Sequence, residues 1–496
     1  MRPLRRAAHL RGRYRAILAY AALIALLLGL LIMAPLTALI AWPQEAGQTG
    51  AFLAPGLGLV SAGGGLWLLL RPRQPVSLTL PEGAVIVLLA WIVALVVGAL
   101  PLMPAAGLTF SQAAFEAISG WTTTGLSMVD VASASHLVLL YRSLMQLAGG
   151  AGLAIMMLAA FGGPLGAGLS AAEGRDRQLV PHVKRSARLV VSIYLGYIAV
   201  GGLALRLGGM TWFDAVNHSI CAVSTGGFST RPESLGYWNS PLLEAVTLVL
   251  MVLGNLNFLT SYALLKGRWR AVARNGEVRL MAVVLPLAAL GIYFWSTAGM
   301  LPETDRAVRA AVFEAVTALT TTGFNTIPYD RWNATAILIL SILMLIGGGI
   351  CSTAGGVKQL RVYVLYRAAV WEIRRLLLPR SAVGQPELWQ GEQRQAIDSE
   401  LLRQMAVFLA LYLAIYAGGT LVLTLNGYSL SDSLFEFASA LGTVGLSVGV
   451  TSTDTPVSGL WAMTLAMFLG RLEIIIVMVG VAKIAQDLRP AKAPKP

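Results

Sequence analysis

Charge is scarce in this sequence. Asp, Glu, Lys and Arg together make up 12% of the 496 residues, about half the roughly 25% of a soluble domain. Cysteine is scarcer still. Cys221 and Cys351 are the only two, too few for a disulfide framework, and both sit in glycine-rich segments where they read as free thiols. The four histidines, His9, His136, His182 and His218, are scattered along the chain. With no cluster of His, Cys or paired carboxylates, a transition-metal site has no ligand set, and a polytopic membrane enzyme has no catalytic constellation. The chain therefore reads as no enzyme. Apolar residues fill the space instead, at 56% of the sequence with a mean hydropathy of +0.70.

The apolar residues come in long runs. Residues 16–42, 143–172, 245–265, 332–357 and 404–431 carry no charge, and each is long enough to cross a hydrocarbon core of roughly 30 Å. The first is longer than the apolar part of a signal peptide, shows no small-residue cleavage site, and reads as a retained helix. The net charge of +13 could point to nucleic acid, but its distribution does not. Of the 37 Lys and Arg, 30 fall in six clusters, at 2–15, 71–73, 175–188, 266–279, 358–403 and 483–495. Each cluster lies on the same side of the apolar hairpins. That pattern places both termini and these loops in the cytoplasm, next to anionic lipid.

Four times, a short amphipathic stretch runs into a glycine followed by Leu or Phe. The stretches begin at Phe115, Phe213, Phe313 and Phe435 and reach Gly125, Gly227, Gly323 and Gly445. From Phe to Gly is ten residues in three copies and fourteen in the second. The four extra residues are about one helical turn, so the second copy reads as carrying an inserted turn on an unchanged face. Each copy lies between apolar runs, so one unit of outer helix, re-entrant pore loop and inner helix is repeated. The predicted fold is all-α and polytopic, two leading helices plus four such repeats around one pseudo-four-fold pore, with ten crossings in all. Residues 1–81 hold the leading helices and 82–185, 186–278, 279–399 and 400–496 the four repeats. The long loop at 366–399 reads as one or two amphipathic helices, with no room for a Rossmann or P-loop unit. Re-entrant loops are tolerated in a bilayer only where protein or a water-filled cavity covers their backbone, a condition met by four loops around one axis.

The loops themselves are Thr122, Thr123, Thr124 and Gly125; Ser224, Thr225, Gly226 and Gly227; Thr320, Thr321, Thr322 and Gly323; and Gly442, Thr443, Val444 and Gly445. Glycine lets a backbone turn its carbonyls inward, neighbouring hydroxyls brace the loop or add oxygen, and hard alkali cations want oxygen. The acidic residues after each Phe, Glu116, Asp214, Glu314 and Glu436, have two readings. They stabilise helix starts, beside caps at Ser111 and Ser431, or they attract cations at an outer mouth. Two features break the symmetry. The third inner helix alone is crowded with glycine, at Gly347, Gly348, Gly349, Gly355 and Gly356, with Ser352 and Thr353 between them. An uninterrupted helix would lose about 1 kcal/mol per glycine, so 347–356 reads as a mid-membrane loop and plug. Close helix packing through small residues is the alternative. Arg471 lies in the last inner helix, where it is either an electrostatic barrier or half of a buried ion pair. Glu473, two residues on, cannot face it.

The four loops, the run 347–356 followed by Lys358, and Gly470-Arg471-Leu472-Glu473 resemble the Trk/Ktr/HKT superfamily of potassium transporters. The two leading helices resemble its TrkH/TrkG branch. The resemblance covers essentially the whole chain. It implies a K⁺-conducting subunit of the bacterial inner membrane, a homodimer with one pore per subunit, and control by a cytosolic ring of TrkA-type subunits. Those subunits would bind NAD(H) or ATP, and this chain no nucleotide. Carried over by position, Gly125, Gly227, Gly323 and Gly445 would be the filter glycines holding K⁺. The loop 347–356 would be the gate and Arg471 the basic residue beside it. The adjacent glycines of the second loop depart from the pattern; Gly227 is aligned because Phe follows it, with Gly226 left open. Glycine in the first loop, where serine would suit Na⁺, favours K⁺. A Na⁺-permeable or Na⁺-coupled relative is the rival within transport, and an inverted-repeat carrier fits same-orientation repeats poorly.

Overall fold

A computed structural model describes residues 2–72, 78–150, 183–329, 331–378, 385–390 and 393–489 of the chain. It is helical throughout, apart from a two-stranded antiparallel hairpin, Glu387–Gln390 with Gln393–Ala396. Of the one or two helices expected within 366–399, one is present as the second half of Gln359–Leu377, and the hairpin stands in the rest of that range. The leading helices Arg2–Met33 and Thr49–Leu70 pack side by side. A side chain at Gly63 would stand 2.7 Å from the Ala22 carbonyl and the Leu26 amide, which is why this close crossing uses glycine.

Four outer helices follow, Leu80–Ala99, Val183–Leu207, Gly276–Ile292 and Ser399–Leu425. Four pore helices, Phe110–Trp121, Trp212–Val223, Thr304–Leu319 and Leu430–Gly442, come next in their repeats. Inner helices begin at His136, Pro241, Ala334 and Val457. Each pore helix packs against the inner helix of the repeat before it, and the first packs against the last inner helix. The final segment, Ile474–Leu488, lies on the first outer helix. Repeat one thus meets repeat four, and the polypeptide closes a pseudo-four-fold ring by itself.

Among the described residues, six helices are long and apolar enough to cross a membrane, or eight if two bent pairs each count as one span. The other two of the ten expected crossings are the first inner helix, beyond whose described part lie residues 151–182, and the third, whose apolar piece is Ala334–Ile346. The bent pairs correct one expectation. The third inner helix is not the only one interrupted: the second bends by 119° after Asn255 and the fourth by 97° at Glu473. Glycine content marked one break of three because Asn255–Asn257 and Glu473 break their helices through cap geometry. Asn257 accepts from the Leu259 amide, and Glu473 holds φ +60°.

Candidate ion-conduction site

Three of the four pore helices are started by a hydroxyl, and the third, Thr304–Leu319, follows Glu303 with no side-chain cap. Thr109, Thr211 and Ser429 are N-caps, the first in a reciprocal capping box with Gln112, the others accepting from the Asp214 and Asp432 amides at 3.1 Å. A cap of this kind satisfies one of the free amides of the first turn. Ser111 and Ser431 are therefore inside their helices, not at the caps. All three caps stand sixteen residues before their loop glycine. The second pore helix has no inserted turn. Phe213 and Asp214 lie in its first turn, at the places of Ser111 and Gln112, and His218 occupies the place of Glu116.

That register gives the four positions one role. Glu116 accepts from the Met128 amide at 2.6 Å and from Ser127 Oγ at 3.1 Å. Glu314 accepts from the Thr326 amide at 2.8 Å and from the Tyr329 hydroxyl. Glu436 accepts from the amides of Val448 and Thr451, at 3.1 and 3.0 Å, and from the Ser447 hydroxyl. His218 Nε2 lies 2.9 Å from Ser229 Oγ. All four side chains are fully buried. They tie the strand leaving each loop to the body of the pore helix, and neither start the helix nor sit at an open mouth. Asp214 is the exception: it binds Thr230 and Arg231 from the first turn. Arg142 was not singled out in the sequence. It is buried, donates to Glu116 at 2.8 Å and to the Ser229 carbonyl at 3.2 Å, and lies over the Phe228 ring. It thereby joins the first two loops. The available signal was an arginine directly before the charge-free run 143–172.

The loops share one backbone. Thr123, Thr225, Thr321 and Thr443 hold φ between +50° and +57°, and two residues later Gly125, Gly227, Gly323 and Gly445 hold φ between +71° and +101°. Gly227, and not Gly226, has the conformation that requires glycine; Gly226 takes the place of Thr124. The glycines close on one another in cyclic order. A side chain on Gly125 would collide with the Gly226 carbonyl, one on Gly227 with that of Thr322, one on Gly323 with that of Val444, and one on Gly445 with that of Thr124. Four carbonyls and four glycines therefore form a closed ring, at which the negative ends of four pore helices converge.

Against this ring lies the run 347–356, a non-helical turn between Ala334–Ile346 and Gln359–Leu377. Gly347 and Gly356 hold φ +69° and +81°, and a side chain on either would strike the backbone of the other end. The turn closes on itself through Gly348 N to Gly355 O at 3.0 Å and Lys358 N to Ile346 O at 3.0 Å. It also reaches the ring. Thr225 Oγ1 donates to Thr353 Oγ1 at 3.1 Å and the Gly355 amide to Thr321 Oγ1 at 2.8 Å. From the sides, Asn255 Oδ1 accepts from the Gly349 amide at 3.2 Å and Glu277 from the Ile350 amide at 2.6 Å. Ser352 folds back onto the Gly349 carbonyl. Arg471 donates to the Thr353 carbonyl, and to the carbonyls of Gly149 at 2.6 Å and Gly150 at 3.3 Å. Its neighbour Glu473 pairs with Arg361 at 2.8 Å. Asn255 and Glu277 were not legible as loop partners, since neither stands near 347–356 in sequence.

Four pore helices aimed at one ring inside a helical bundle of membrane spans define the class, a polytopic pore-loop protein. The chain belongs to the TrkH family of cation transport proteins, whose model matches residues 49–488. It is 31% identical over 432 residues to an uncharacterized cation transporter of Methanocaldococcus jannaschii, covering 86% of this chain and 87% of that one. The Trk system potassium uptake protein TrkH of Escherichia coli K12 is 29% identical over 485 residues, 94% of this chain and 98% of that one. The Trk system protein TrkG of the same organism is 31% identical over 439 residues, 84% and 87%. The crystal structure of the potassium transporter TrkH from Vibrio parahaemolyticus superposes with a TM-score of 0.82 at 25% identity, covering 96% of this chain and all of that one.

Proposed function

We propose that this chain takes up K⁺ across a bacterial inner membrane through the ring of Gly125, Gly227, Gly323 and Gly445. The observation that carries this reading is the closed cyclic contact of four loop carbonyls with four left-handed glycines. Such a ring replaces the hydration shell of an alkali ion with backbone oxygen. Thr122 to Thr124, Ser224 to Gly226, Thr320 to Thr322 and Gly442 to Val444 supply the carbonyls and hydroxyls that line it. The residues Gly347, Gly348, Gly349, Ser352, Thr353, Gly355 and Gly356 form the gate, pinned by Arg471. Residues 1–81 carry the leading helices, and 82–185, 186–278, 279–399 and 400–496 the four pore units. The potassium uptake named for the TrkH and TrkG relatives supports this substrate. Purified chain in liposomes is expected to pass ⁸⁶Rb⁺ down its gradient, with K⁺ suppressing the flux more strongly than equimolar Na⁺. Equal suppression by Na⁺ would favour a Na⁺-permeable protein of the same fold, and no flux would end the transport reading.

The regulatory partner comes from outside the chain. The six basic clusters place both termini and the joining loops in the cytoplasm, and the protein works as a homodimer with one pore per protomer. A soluble ring of TrkA-type subunits, binding NAD(H) or ATP, docks on that basic face. Gentle purification from the native membrane is expected to bring down a dinucleotide-binding protein, and nucleotide addition to alter ⁸⁶Rb⁺ flux in native vesicles. Membrane chain alone, with flux indifferent to nucleotide, would sink the partner.

A further inference from the structure

Three of the four loops brace their glycine from within the same repeat. Ser119 Oγ, Thr317 Oγ1 and Ser439 Oγ each accept from the amide of the loop glycine, Gly125, Gly323 and Gly445, at 3.0 Å. The second loop breaks the rule. The residue six places before Gly227 is Cys221, and its thiol turns away to Ser143 on the first inner helix at 3.5 Å. The Gly227 amide is left with the Cys221 carbonyl at 3.5 Å, a distance at which little hydrogen bonding remains.

The missing brace comes from the neighbouring repeat. Gln146, fully buried on the first inner helix, donates through Nε2 to the Gly226 carbonyl at 2.5 Å and accepts through Oε1 from the Phe228 amide at 3.3 Å. Its carboxamide straddles Gly227. It also explains the doubled glycine. A side chain at Gly226 would collide with that carboxamide, whereas Thr124, Thr322 and Val444 occupy the equivalent place elsewhere. In the first and third loops that place carries a second brace, Thr122 Oγ1 to Thr124 Oγ1 at 2.7 Å and Thr320 Oγ1 to Thr322 Oγ1 at 2.8 Å. Gly226 has no hydroxyl to make it, and Ser224 folds back to the Cys221 carbonyl at 3.3 Å.

We infer that the second loop has exchanged its internal hydroxyl brace for Gln146, making Gln146 a specificity-determining positioning residue for the ring. The inference rests on the reading of the ring as an ion filter. The Gly226 carbonyl is the one against which Gly125 packs, so Gln146 sets the spacing between the first two loops. A thiol at residue 221 is a poor acceptor for an amide, and a serine there would restore the brace found in the other three repeats.

The test is a double-mutant cycle of Gln146→Leu and Cys221→Ser on the full chain, read as the K⁺/Na⁺ flux ratio in liposomes and as the thermal midpoint in detergent. Gln146→Leu is expected to lower the ratio by about tenfold, the scale of one or two buried hydrogen bonds. Cys221→Ser alone is expected to leave it within about twofold, and the pair to recover most of the loss. Gln146→Glu keeps the shape, replaces the donor by an oxygen facing the Gly226 carbonyl, and is expected to lose selectivity even where Gln146→Leu does not fold. A folded Gln146→Leu or Gln146→Glu with the wild-type ratio overturns the inference, as does a lost ratio that Cys221→Ser leaves unrestored. Coupling seen in the thermal midpoint while the wild-type chain itself fails to prefer K⁺ would locate the failure in the filter reading instead of in the brace.

Discussion

Replacing Gly125 by serine is expected to lower the K⁺/Na⁺ flux ratio of the reconstituted chain by about tenfold, with total cation flux retained. Gly125 holds φ +99°, where an L side chain costs about 1–2 kcal/mol. A new Cβ there would also meet the Gly226 carbonyl. The loop must relax away from that contact, and the carbonyl spacing relaxes with it. A change of 1.4 kcal/mol in relative binding corresponds to about tenfold, so strain on this scale is enough to erase a preference of that size. Because each glycine packs on the carbonyl of the next loop, serine at Gly227, Gly323 or Gly445 is expected to act in the same direction. A Gly125→Ser chain with an unchanged ratio would remove Gly125 from the ion path.

Arg471→Ala is expected to raise K⁺ flux by about tenfold or more while the K⁺/Na⁺ ratio stays within about twofold. Arg471 clamps the Thr353 carbonyl of the glycine-rich turn to the Gly149 and Gly150 carbonyls of the first inner helix. A hydrogen bond to a charged group contributes about 1.5–3 kcal/mol, and losing the clamp shifts the turn toward its displaced state by the corresponding factor. The same substitution removes a positive charge from a poorly screened path. Deleting 347–356 outright is a less clean test, because Thr353 and Gly355 bond to Thr225 and Thr321 of the ring itself. Thr353→Ala complements the arginine change by removing one of those bonds without shortening the chain. A folded Arg471→Ala protein with wild-type or lower flux would refute the pinned gate.

Sequence alone determined the features whose causes are local. Long charge-free runs read as membrane segments, and a Thr-x-Gly turn after an amphipathic stretch reads as the end of a short helix. Five glycines within 347–356 do not favour continuing one, so the spans among the described residues, three of the loop registers and the third break were legible along the chain. The second register was not, because Phe213 matched the Phe pattern by residue type while the cap at Thr211, and not Phe213, sets where that helix begins. Tertiary structure decided the partnerships of buried polar groups that lie far apart in the chain. On sequence grounds Glu116 read as a helix-start carboxylate or a mouth charge, and only the approach of Met128 and Arg142 shows that it is neither and braces the loop. Gln146 lies 80 residues from Gly226, and Arg471 lies 118 from Thr353. The physical reason is one of range. Hydropathy and backbone preference act over a few residues, whereas a donor buried away from water must bond to whatever acceptor the packing of distant helices brings within about 3 Å.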